Sequence, residues 1–99
     1  MPRTISYDDY LRKSLKKRGE AEAYLNAALE DGDPRVFLLA LRHVAEAQGG
    51  MGKAATASKL NRESLYRMLS KRGNPNLKSL TALLSTLGFR LAVESEDAA

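Results

Sequence analysis

Cysteine and tryptophan are absent from this chain, histidine occurs once and proline three times. Without cysteine there is neither a disulfide scaffold nor a thiolate-ligated zinc site. The lone His43 has no second histidine with which to share a metal or complete a catalytic arrangement, so it reads as a packing or surface residue of a helix. No glycine-rich phosphate loop, serine–histidine pattern or paired-carboxylate constellation stands out. Neither an enzyme, nor a cofactor, nor a small-molecule substrate is therefore expected. Long apolar runs are missing as well. Nothing approaches the ~20 residues that cross a bilayer, and the first residues lack the apolar stretch of a signal peptide. The expectation is a cytoplasmic protein without a membrane partner.

What is present is a chain of 99 residues, 43% of them apolar, which supplies one modest core. Its net charge of +4 is unevenly spread. Residues 1–18 hold six Lys/Arg against two Asp/Glu, and residues 19–50 hold two against six. Residues 51–90 carry eight Lys/Arg against Glu63 alone, and the tail from Leu91 adds only Glu94, Glu96 and Asp97. A cationic block of this kind is what phosphate neutralisation and counterion release require.

The pattern along the chain is helical. Ser6 with Asp9 resembles a capping box opening a helix over residues 7–17, with Gly19 as a break. A second helix comes next, with Ala21, Tyr24, Leu25, Ala28 and Leu29 on one stripe and Gly32 at its end. Asp33 and Pro34 form a start signal for a third helix over residues 34–48, apolar on nearly every side through Val36, Phe37, Leu38, Leu39, Leu41 and Val44, and hence central. In residues 52–70, GKAATASKLNRESLYRMLS, Ala54, Ala55 and Ala57 allow two helices to cross closely, and Leu60 plugs the turn between them. Asn61 is suited to cap the second of these. Leu65, Met68 and Leu69 then face a core, while Arg62, Glu63, Tyr66, Arg67 and Ser70 face outward. This is a helix-turn-helix pattern, and the outward strip would enter a groove of double-stranded DNA. KRGNPN is a loop, Asn76 caps a last helix over residues 77–87, and Gly88 ends it. FRLAVE alternates, which predicts a short strand. A lone strand needs a partner, so Phe89, Arg90, Leu91, Ala92 and Val93 are the candidate dimerisation segment of a two-fold homodimer.

The runs YLNAALEDGDPRVFLLALRHVAEAQG and LNRESLYRMLSKRGNPNLKSLTALLSTLGFRL resemble the HigA-like addiction-module antidote proteins, whose DNA-binding part belongs to the Xre/Cro class. YLNAAL, NRESLYRMLS and GNPNLKSL are the most specific elements of that resemblance, which covers about residues 7–91. It implies an all-α helix-turn-helix domain over residues 34–94 with a short C-terminal strand. It also implies an N-terminal helical extension over residues 1–33 and a tail over 95–99. The implied function is that of an antitoxin, which binds a small RelE/ParE-type toxin and represses their shared operon. By position, Asn61, Arg62, Glu63, Ser64, Tyr66 and Arg67 would lie at the DNA, with Asn76 capping the next helix near a phosphate. The chain departs from the family at the turn, where Lys59 stands in place of the common glycine. A left-handed backbone there would cost about 1 kcal/mol, and Lys59 would offset it by reaching a phosphate.

Each role has a plainer counterpart. Arg62 fits guanine N7 and O6, or is a solvated arginine. Glu63 meets a cytosine amine or pairs with Arg67, which otherwise reaches a phosphate. Tyr66 touches the duplex or packs at the core edge. Lys53, Lys71, Arg72 and Lys78 are assigned to phosphates as a group. Tyr7, Tyr10, Leu11 and Leu15, with Tyr24 and Leu25, either anchor the toxin or cover Phe37 and Leu41. The basic run Arg12, Lys13, Lys16, Lys17 and Arg18 is a solvated face or extends the DNA footprint. Two other whole-protein readings stand beside the antitoxin. One is a stand-alone Xre/Cro-type phage-like repressor without a toxin. The other is a protein-interaction module with a vestigial helix-turn-helix.

Overall fold

The structure, a computed structural model, describes residues 6–97. The parts of the expected N-terminal extension and tail at residues 1–5 and 98–99 lie outside that range. Among the described residues there are six helices and no strand: α1 (Tyr7–Ser14), α2 (Arg18–Glu30), α3 (Pro34–Ala47), α4 (Met51–Ser58), α5 (Arg62–Met68) and α6 (Leu77–Thr86).

Four of the six starts are set by a side chain that accepts from the first turn. Ser6 takes Asp9 N–H at 3.1 Å, Asp33 takes Arg35 N–H at 2.9 Å, and Asn76 takes Ser79 N–H at 2.7 Å. Asn61 takes two, Glu63 N–H at 2.8 Å and Ser64 N–H at 3.1 Å. Each such cap contributes about 1 kcal/mol. The ends of α3, α4 and α6 share another device, a backbone bond from two or three residues beyond the helix to its last turn. Gly50 N–H bonds to Ala45 C=O at 3.0 Å, Leu60 N–H to Ala55 C=O at 2.9 Å, and Phe89 N–H to Leu84 C=O at 2.8 Å.

The core runs through α3. Its Leu41 and Val44 are fully buried, α1 and α2 pack on one side, and α4 links it to α5 and α6. Leu15, Leu65, Leu69 and Leu83 complete the set of fully covered large side chains. Each contributes about 1.5–3 kcal/mol of burial.

Several expectations need correction. The first helix stops at Ser14, because Leu15 turns inward to 1% exposure and Lys17 takes an extended conformation that restarts the chain. Gly19 is no break and sits in the first turn of α2. Helix α3 is central but not buried all round, since its apolar Val36 and Leu39 are exposed on one stripe. Ala57 faces solvent; the close approach of α4 is made by Ala54, Ala55 and a buried Ser58, whose hydroxyl donates to Ala54 C=O at 2.6 Å. Leu29 and Leu77 are exposed at the ends of their stripes.

The C-terminal strand is absent. Phe89 folds back onto α6, residues 90–97 are exposed, and with no second backbone beside them an alternating pattern gains no ladder hydrogen bonds. No helix among the described residues is long and apolar enough to cross a membrane.

Candidate nucleic-acid interface

Helix α4 ends in a turn whose backbone is left-handed at Lys59, φ 60° and ψ 33°. It is the sole non-glycine residue with positive φ among those described. This turn, stapled by the Leu60 N–H bond and by partly buried Leu60, aims the chain into α5. Leu65 and Met68 then anchor α5 from beneath, together with Leu69 just past its end. The opposite face therefore carries Arg62, Glu63, Ser64 and Arg67 into solvent, held there by a buried seam and a double cap.

The candidate residues fall into separate patches. Ser64, Arg67, Arg72 and Asn76 line one open groove of about 380 Å³ between α5 and the start of α6. The Asn76 Oδ1 atom is already occupied by its cap, which leaves its amide N–H groups for an external acceptor. Arg67 lies 3.6 Å from Glu63, and both side chains are largely exposed, so the pair is weakly held and can open toward a ligand.

A second patch forms around Tyr66, which is half-buried. The Arg62 guanidinium lies 5.8 Å from its ring centroid and the Arg42 guanidinium 5.2 Å, both within cation–π range. Arg62 also spans the second residue of α4. A Cβ added to Gly52 would stand 3.7 Å from its nearest guanidinium nitrogen. Arg42 is steadied by Glu46 at 3.3 Å. It is not legible as a candidate in the sequence, because it lies on a helix that reads as buried on nearly every side and meets Tyr66 only through tertiary packing.

The remaining cations lie apart. Lys53 lines a third cleft with Arg18, and Lys71 borders a groove containing Val36 and Leu39. Lys59 is exposed at the turn and Lys78 in the first turn of α6.

The residues singled out on the first two helices divide. Leu15 and Leu25 are core, at 1% and 5% exposure, while Tyr7 and Tyr10 stand out at 69% and 61%. Leu11 is half-buried. Tyr24 lies between, and its hydroxyl is 2.6 Å from His43 Nδ1. Burial, with a smaller contribution from Tyr7, pushes the Tyr24 pKa up, which keeps the phenol protonated. His43 is thereby engaged in tying α2 to α3. At the start of α3, the Arg35 side chain donates to Asp33 and holds its carboxyl below the usual range.

Comparison with known proteins gives two matches. A family model described as "probable addiction module antidote protein" matches residues 5–95. A protein of Haemophilus influenzae described as uncharacterized is 30% identical over 80 residues, 81% of each chain. No solved structure matches.

Proposed function

The chain belongs to the probable addiction module antidote family, and from that premise we propose that it is an antitoxin that binds operator DNA through α5 and neutralises a RelE/ParE-type toxin by direct contact. The observation that carries the DNA reading is the exposed cationic face of α5, presented on a seam that buries Leu65 and Met68. Arg62 is the base reader, placed in the first turn of the helix where side chains reach base edges. Arg67, Arg72 and the Asn76 amide hold a phosphate in the groove they share, and Lys53, Lys59 and Lys78 add neutralising charge. The role is one of binding, with no catalysis, and its place is the cytoplasm. A Xre/Cro-like two-fold dimer would set two α5 helices at half-sites about 34–36 Å apart.

The toxin reading draws on Tyr7 and Tyr10, which are large, exposed and adjacent to half-buried Leu11 on α1. Aromatic residues of this kind dominate interface energies. Co-expression with the neighbouring small reading frame, followed by co-purification, tests it. Capture of that product by the wild-type chain and its loss in a Tyr7→Ala, Tyr10→Ala variant are expected; a chain that purifies alone would leave the stand-alone repressor.

The DNA reading has its own test. Binding to the promoter fragment should weaken steeply as salt rises, and a flat salt response would remove DNA from the function. Arg62→Ala should cost about 1–3 kcal/mol of affinity and relax preference at one position per half-site.

A further inference from the structure

We infer that the C-terminal residues 93–97 form an exchange arm that docks, reciprocally, in a groove between α3 and the segment just past α5 of a second copy of this chain. The inference rests on the two-fold reading given above and supplies its contact surface.

The groove has a volume of about 420 Å³ and is lined by Arg35, Val36, Leu39, Arg42, Leu69 and Lys71. Its floor is aliphatic. Val36 and Leu39 are 38% and 50% exposed, an apolar stripe that nothing within the described residues covers. Its rim is cationic. Lys71 has no carboxylate partner among the described residues, and Arg35 and Arg42 each hold one carboxylate while retaining further donors. The occupant must then be a short extended segment with an aliphatic residue and several carboxylates.

This chain carries such a segment. Val93 is 98% exposed and is followed by Glu94, Glu96 and Asp97, the acidic end of an otherwise basic C-terminal half. On their own subunit Leu91, Ala92 and also Glu94 line a cleft with Leu29 and Phe37, while Val93 between them stands clear of it. Phe37 lies two positions from Leu39 and therefore on the other side of α3. The segment leaves its own subunit on the side away from the groove, and five extended residues reach only about 17 Å. A second copy meets both halves of the match, and exchange in both directions closes a two-fold pair with no open ends.

The absence of cysteine allows a direct test. Chains carrying Leu39→Cys alone and Val93→Cys alone are mixed and oxidised; neither position is buried, so both variants should fold. A disulfide heterodimer between the two is expected, abolished by Glu94→Lys with Glu96→Lys and restored when Arg35→Glu and Lys71→Glu are added to the groove-bearing chain. Without introduced cysteines, sedimentation at roughly 100 µM should give twice the 10.9 kDa chain mass, and Val93→Asp should weaken the pair roughly tenfold or more. A link formed only inside a chain bearing both substitutions would mean that the arm folds onto its own subunit and would overturn the inference. Links that join two copies of the Val93→Cys chain, with none to the Leu39→Cys chain, would overturn groove docking and leave the dimer standing. A single-chain mass at all concentrations would end both, while leaving the DNA and toxin tests untouched.

Discussion

Helices α1 and α5 are nearly equal in length, eight and seven residues, and both begin on a polar cap, yet they treat their apolar residues in opposite ways. Helix α1 buries none of its residues and leaves Tyr7 and Tyr10 in solvent. Helix α5 buries Leu65 and Met68 and leaves its arginines out. The first is attached to the core mainly by Leu15, just past its end, and offers an apolar surface. The second is anchored from beneath and offers a charged one. On the proposed reading, groups that meet a duplex in fixed register need a rigid base, whereas an aromatic surface that meets a protein can order on contact.

The contrast breaks most visibly under truncation. Leu65→Ala should cost about 2–5 kcal/mol, read as a fall in thermal midpoint, because a fully covered side chain leaves a cavity. Tyr10→Ala should change stability by less than about 0.5 kcal/mol and lower only partner capture. Equal losses at the two sites would erase the distinction.

Gly73 supplies a sharper probe of the base of α5. A Cβ there would collide with the Met68 carbonyl, so Gly73→Ala should cost about 1–3 kcal/mol by forcing the loop away from the helix end. The caps come next. Asn61→Ala frees two N–H groups beside a buried seam and should cost about 1 kcal/mol in denaturant unfolding. Ser6→Ala frees one, at the edge of a helix that buries nothing, and should cost less. The smallest effect has the opposite sign. Lys59→Gly relieves a left-handed non-glycine residue and should raise the midpoint, by up to about 1 kcal/mol, while weakening DNA binding if the lysine reaches a phosphate.

Much of α5 is legible in the sequence because its information is local. Asn61 caps, Leu65, Met68 and Leu69 face inward, and Arg62, Glu63 and Arg67 face outward, all within a few turns of one helix. The same holds for Asp33 at α3, Asn76 at α6 and the glycine after each. The end of α1 is not legible in this way. Gly19 resembles a natural stop, whereas burial of Leu15 against distant helices decides where the chain turns. The arginine stack on Tyr66 joins residues 24 positions apart and leaves no periodic trace. The FRLAVE alternation is real, but alternation specifies a strand only when another backbone lies alongside, and among the described residues none does.

By itself the sequence determined where helices begin, which side of α5 is charged, and that cysteine chemistry is excluded, because capping, periodicity and composition act over a few residues. Tertiary structure alone decided that Leu15 and Leu25 serve the core while Tyr7 and Tyr10 remain exposed, that Arg42 joins Arg62 at Tyr66, and that an apolar groove opens beside α5. Those outcomes depend on which surfaces of separate helices meet, and no residue's neighbours in the chain carry that information.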